Sequence, residues 1–155
     1  MPSRHRHRRP RPPRGRSALV ALMLALAMSA VPCSASADPA SSRALLPPSR
    51  LADLPPQVAA ACGLWHGQLH WPATGQPVDY RLADGRFLRG GNPYRNRSGD
   101  LPAAGDGAYH EYDVNPRTAP AAHRDAERLV REVTTGQVWF TADHYADFRQ
   151  VLGDC

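Results

Sequence analysis

The sequence lacks any apolar run long enough to cross a bilayer: its most hydrophobic stretch, from Ala18 to Val31, is shorter than the about 20 residues a spanning helix needs. Lysine is absent, so all nineteen strongly basic residues are arginine, a bias read as coding preference without functional weight. Cysteine is scarce, and Cys33, Cys62 and Cys155 each stand alone without a second cysteine at metal-ligand spacing. No metal and no cofactor is therefore expected. Positive charge is also scarcer than the total of +5 implies, because seven arginines fall between Ser3 and Arg16. The uncharged stretch Ser17 to Pro32 and then Ala35-Ser36-Ala37 follow them, the pattern of a signal peptide over residues 1–37, with cleavage expected after Ala37. The expected destination is outside the cytoplasm, extracellular or periplasmic, with no membrane attachment after cleavage.

Beyond Ala37 stand twelve arginines against fourteen acidic residues, a formal charge of −2. The basic balance of the full chain therefore says nothing about a nucleic-acid partner. Local distribution says more. Arg81, Arg86, Arg89, Arg95 and Arg97 form one basic stretch and Arg117, Arg124, Arg128 and Arg131 another, and such stretches suit either a phosphate-binding cleft or an ordinary solvated face. The length suits one domain. Residues 38–49 show no hydrophobic periodicity and are expected to be a flexible lead-in to a domain over 50–155. In an oxidising compartment Cys62 and Cys155 are expected to pair; the alternative is a buried Cys62 and a free Cys155.

Leu54-Pro55-Pro56 followed by Gln57 to Trp65 reads as a helix ending near Gly67, with proline in its first turn and Val58, Ala61, Cys62 and Trp65 on one face. Val78 to Leu82 and the Asp84-Gly85 turn suggest a hairpin-like insertion. Tyr109 to Val114, Arg128 to Val133 and Val138 to Thr141 read as strands, the last two joined by Thr134-Thr135-Gly136-Gln137. A helix followed by strands predicts an α+β fold, an N-terminal helix packed on a small antiparallel sheet. Alternation then places Tyr109, Glu111 and Asp113 on one face and His110, Tyr112 and Val114 on the other.

The candidate site is one strand carboxylate, Glu111, two arginines four residues apart, Arg124 and Arg128, and a histidine after the last of these strands, His144. Cleaving a ribose phosphodiester without a metal needs a base for the 2′-hydroxyl, an acid for the departing 5′-oxygen and fixed positive charge on the phosphate. These residue types supply all three. Singly, each has an ordinary explanation as a salt-bridged acid, a turn histidine or a solvated strand edge.

Order and spacing add to this, because from Gly90 onward the sequence resembles the small secreted microbial ribonucleases of the barnase and streptomycete guanyl-preferring type. Gly90-Gly91-Asn92-Pro93-Tyr94-Arg95-Asn96-Arg97-Ser98-Gly99-Asp100-Leu101-Pro102 is similar to the family's base-recognition loop, and Tyr109-His110-Glu111-Tyr112 to its strand bearing the general base. Arg124-Asp125-Ala126-Glu127-Arg128 resembles the phosphate site, and Asp143-His144-Tyr145 the terminal motif whose histidine is the general acid. The resemblance implies the microbial ribonuclease fold, with Glu111 and His144 as base and acid and Arg124 and Arg128 holding phosphate. Tyr145 is implied as a further contact, and Arg95, Asn96, Arg97 and Ser98 as the base-binding loop. It implies single-stranded RNA as substrate, a monomer, and a barstar-like inhibitor protein as a partner. The other reading is an inactive fold relative that binds RNA or a protein.

Two departures stand out. Ser98 occupies the place where the family carries a base-reading glutamate, which predicts a weakened guanine preference. Cys62 follows Leu54-Pro55-Pro56, whereas the family's half-cystine precedes that segment, so the expected disulfide rests on two available thiols rather than on the resemblance. The stretch from His66 to Arg89 is also longer than the family's connection.

Overall fold

The computed structural model describes residues 44–155. The signal peptide expected over 1–37 and the lead-in residues 38–43 lie outside the described residues. The rest of the expected lead-in is ordered: β1 (Ala44–Arg50) pairs in parallel with β7 (Asp147–Leu152). Pro47 and Pro48 hid this strand, since they break any alternation. They are tolerated because β1 is an edge strand whose register shifts between Leu46 and Ser49.

A short 3-10 turn, Leu51–Asp53, leads into α1 (Pro56–Cys62), and the chain continues as a wider π-helical turn over Gly63–Gln68. Proline suits the first turn of α1, where an N–H would find no intrahelical acceptor. The other strands are β2 (Val78–Arg81), β3 (Phe87–Tyr94), β4 (Tyr109–Asp113), β5 (Arg128–Glu132) and β6 (Val138–Thr141). They form one seven-stranded sheet in the order β1-β7-β6-β5-β4-β3-β2. The α+β class holds, but the sheet is neither small nor wholly antiparallel, and a strand precedes the helix. The expected hairpin is β2–β3, closed where the Leu82 N–H donates to the Arg86 carbonyl at 2.8 Å.

The faces of the sheet divide labour. On one, Val58, Ala61, Cys62 and Trp65 of the helical segment pack on Leu88, Tyr112, Leu129, Phe140 and Val151. Trp65 is fully buried and its indole N–H donates to the Asp113 carbonyl at 2.8 Å, pinning the helical segment to β4. Truncating such a side chain to alanine costs about 3–5 kcal/mol. The Cys62–Cys155 disulfide closes this layer by joining the end of α1 to the last residue across 93 positions. On the opposite face, Leu101, Tyr109, Val130, Trp139 and Phe148 make a smaller cluster, with Tyr94 and Tyr145 packed against it. Glu111, Asp113 and Arg128 belong to this second face.

Candidate active site

Register fixes the centre of the site. Glu111 is opposite Val130 and Asp113 is opposite Arg128 across the β4–β5 pair, so the two carboxylates and Arg128 project from the same side. On the other flank of β4, Gly90 pairs with Tyr112 but Asn92 pairs with Glu111, leaving Gly91 as an extra residue. Its φ of +88° suits this bulge, and a Cβ there would meet the Pro72 carbonyl at 2.8 Å, so glycine is required. His110, behind the sheet, donates its Nδ1–H to the Gly91 carbonyl at 2.6 Å and so braces the bulge.

Asp113 is the electrostatic hub. Almost fully buried, its Oδ1 accepts from Arg124 Nε at 2.7 Å and lies in ion-pair contact 2.6 Å from Arg124 Nη2 and 3.6 Å from Arg128 Nε. Its Oδ2 accepts the Arg89 backbone N–H at 3.1 Å and lies 3.5 Å from Arg117 Nε. Three guanidiniums converge on this one carboxylate, and each also faces a second acid, Arg117 with Asp79, Arg124 with Glu111 and Arg128 with Asp125, so the positive charge here is concentrated but matched. Arg128 is also held at Nη1, donating to the Glu127 carbonyl at 2.6 Å and lying 3.3 Å from Asp125 Oδ1. Burial works against the charge of Arg124. The bond to Asp113 and the charges of Asp113 and Glu111 outweigh it, raising the pKa above the ordinary guanidinium value.

Glu111 links this corner to the terminal turn. Its Oε1 lies 3.6 Å from Arg124 Nη2, and its Oε2 accepts a short hydrogen bond from the Tyr145 hydroxyl. Burial first, and then the Glu111 charge and that hydrogen bond, push the Tyr145 hydroxyl well above the ordinary phenol value. The Tyr145 ring packs at a tilt against that of Tyr94, centroids 5.0 Å apart, which carries the aromatic wall from the turn to the end of β3.

His144 and Tyr145 both have positive φ, +58° and +74°. Side-chain-bearing residues in that region cost about 1–3 kcal/mol each, so the turn needs compensation. Asp143 provides it: one carboxylate oxygen accepts from Thr141 Oγ1 at 2.9 Å and from the Ala146 and Asp147 N–H groups at 2.9 and 3.0 Å. The His144 N–H donates to the Ala126 carbonyl at 3.1 Å, which ties the turn to the segment carrying the arginines.

Two pockets meet at His144. One, of about 470 Å³, is lined by His123, Arg124, Asp125, Ala126, Arg128 and His144. The other, of about 300 Å³, is bounded by His144, Tyr145 and the Tyr94–Ser98 loop. Of the site residues expected from the sequence, Arg124, Arg128 and His144 line the first pocket and Arg95, Asn96, Arg97, Ser98, Tyr145 and again His144 the second, while Glu111 lines neither and adjoins them through Tyr145 and Arg124. Within the loop, Asn96 is spent on structure: its amide donates to the Leu101 carbonyl at 2.9 Å while its oxygen accepts the Leu101 N–H at 3.0 Å. Arg95, Arg97 and Ser98 remain at the surface. Sequence reading missed the hub role of Asp113, which alternation put on the Glu111 face without revealing its burial, and the bracing role of Asp143.

A carboxylate, a histidine and two arginines gathered on an open sheet face are the groups that phosphodiester cleavage calls for, and they describe a nuclease. A family model described as ribonuclease matches residues 39–152. The chain is 35% identical over 103 residues to guanyl-specific ribonuclease St of Saccharopolyspora erythraea, covering 66% of this chain and 85% of that one. It is 41% identical over 73 residues to guanyl-specific ribonuclease Sa3 of Kitasatospora aureofaciens, a match spanning 44% of this chain and only 48% of that relative's length. A crystal structure of ribonuclease Sa2 superposes with a TM-score of 0.49 at 25% identity, covering 71% of this chain and all of that one. The chain belongs to the ribonuclease family, among the microbial guanyl-preferring enzymes, and is an endoribonuclease.

Proposed function

We propose that the protein is a secreted, monomeric ribonuclease that cleaves single-stranded RNA without a metal, through a 2′,3′-cyclic phosphate. Glu111 takes the proton of the ribose 2′-hydroxyl, the 2′-oxygen attacks phosphorus, and the bond from phosphorus to the 5′-oxygen breaks as His144 protonates the leaving oxygen. In the second step His144 takes a proton from water, the hydroxide opens the ring, and Glu111 returns its proton to the 2′-oxygen, leaving a 3′-phosphate. Arg124 and Arg128 hold the phosphate oxygens and supply the fixed positive charge, with the Tyr145 hydroxyl as a further contact. The loop of Arg95, Asn96, Arg97 and Ser98 receives the base with a weakened guanine preference, and a barstar-like inhibitor protein is a natural partner.

The observation that carries this reading is the double position of His144, which lines both the arginine pocket and the loop pocket. A scissile phosphate in the first and its base in the second put the leaving oxygen beside the imidazole. The test incubates the chain from residue 38 onward with RNA in excess chelator and identifies the product ends. Cyclic phosphate followed by 3′-phosphate ends are expected. A magnesium requirement, or 5′-phosphate ends, would overturn the mechanism.

A further inference from the structure

The loop pocket needs hydrogen-bond acceptors if it is to read a base, and most of its polar side chains cannot serve. Arg95 and Arg97 are donors only. The Asn96 amide is committed at both ends to Leu101, and the Tyr145 hydroxyl, although its oxygen keeps lone pairs, is tied to Glu111 among the proposed reacting groups and away from the loop. Ser98 differs. Its hydroxyl donates to Asp100 Oδ2 in a short hydrogen bond, two residues away across Gly99, whose φ of +71° and N–H bond to the Asn96 carbonyl at 3.0 Å tighten the turn. A serine hydroxyl has one proton and two lone pairs. With the proton committed to Asp100, only the lone pairs are left to face a ligand, and the carboxylate behind makes that oxygen a stronger acceptor.

We infer that Asp100 is a specificity-determining positioning residue, acting through Ser98 to give the base pocket a charge-backed acceptor. The chemistry it fits is a base edge with two adjacent N–H donors, which guanine presents and which adenine and cytosine replace by a donor beside an acceptor. Single-stranded RNA exposes that edge for reading. This rests on the ribonuclease reading above and adds to it: the guanine preference weakened by Ser98 is sustained at its remaining level by Asp100. Asn96 closes the loop independently of this pair, so removing either member leaves the clamp to Leu101 in place.

The experiment measures equilibrium binding of 3′-GMP and 3′-CMP to the native chain and to Asp100→Asn, Ser98→Ala and the double variant, by calorimetry. The ratio of the two affinities is the readout, so a general loosening of the loop cancels. In the native chain 3′-GMP is expected to bind more tightly. Either single substitution should lower the ratio by about tenfold, since charge-assisted hydrogen bonds are roughly twice as strong as neutral ones. The double variant should fall no further, as two residues acting as one unit are non-additive. An unchanged ratio in Asp100→Asn, additive losses, or a native chain that does not distinguish the two nucleotides would each overturn the inference. Because binding needs no turnover, a chain that discriminates the nucleotides but cleaves no RNA would overturn the proposed function and leave this inference standing.

Discussion

The Tyr145 hydroxyl donates to Glu111 Oε2 from 34 positions further along the chain, so the turn carrying His144 and the strand carrying Glu111 are joined by one hydrogen bond. Proposed acid and proposed base are thereby set relative to one another. Glu111→Gln and His144→Ala should each lower turnover by at least about 10²-fold, the lower range for a proton-transfer group, while circular dichroism stays native. Tyr145→Phe keeps the ring against Tyr94 and removes the hydroxyl, and with it both the link to Glu111 and the proposed phosphate contact, for which about a tenfold loss in kcat is expected. Steady-state kinetics on a dinucleotide check all three. Native kcat in Tyr145→Phe would show that the link has no part in turnover.

Asp113 should matter more for stability than any other carboxylate on this face. It is buried with three guanidiniums around it, and removing one partner of a buried ion pair leaves uncompensated charge, at a cost of about 3–5 kcal/mol. Urea denaturation of Asp113→Asn should show a loss of that order, with Arg124 and Arg128 no longer held and activity reduced as well. A loss below about 1 kcal/mol would mean that the arginines are positioned by their other partners.

Much of this arrangement was legible because local signals agreed with the fold. The helix from Pro56, strands β4, β5 and β6, the Asp84-Gly85 turn and the common face of Glu111 and Asp113 all follow from periodicity and turn chemistry. What escaped depends on long-range pairing. β1 carries two consecutive prolines and exists only through its pairing with β7, from which it is separated by almost the whole domain. Asp113 looks in sequence like any strand-end acid, and only the convergence of Arg89, Arg117, Arg124 and Arg128 marks it out. Ser98 read alone is a lost carboxylate. With Asp100 hydrogen-bonded behind it, the same residue becomes part of a pair.

The disulfide should carry much of the stability of the helix-facing layer. Closing a loop of 93 residues removes conformational freedom from the unfolded chain, worth about 4–5 kcal/mol in the chain-entropy model. Cys62→Ala with Cys155→Ala should therefore lower the unfolding free energy by several kcal/mol in urea titrations. The Glu111–Tyr145 link lies on the other face of the sheet, so turnover below the melting range should persist. Loss of turnover in a variant that remains folded would show that the two faces are coupled.

Asp143 gives the site an acid limit of its own. Burial by itself would raise its pKa, but the hydrogen bonds from Asp147, Thr141 and Ala146 outweigh burial and hold the carboxyl below its ordinary value of 3.8. A folded-state pKa below the unfolded one means that the ionised form stabilises the fold at pH values above the unfolded pKa, and that the contribution disappears as pH falls through the folded pKa. Native protein should thus exceed Asp143→Asn in stability by a constant margin from about pH 5 upward, the margin closing below about pH 4. Because the same hydrogen bonds hold His144 and Tyr145 at positive φ, the variant should also lose activity at neutral pH, where His144→Ala and Asp143→Asn combined should be no worse than His144→Ala alone. Unfolding free energies of the two proteins at matched pH check the first expectation and turnover of the three variants checks the second. A stability margin that persists to pH 2 would show that Asp143 acts through shape and not through its charge.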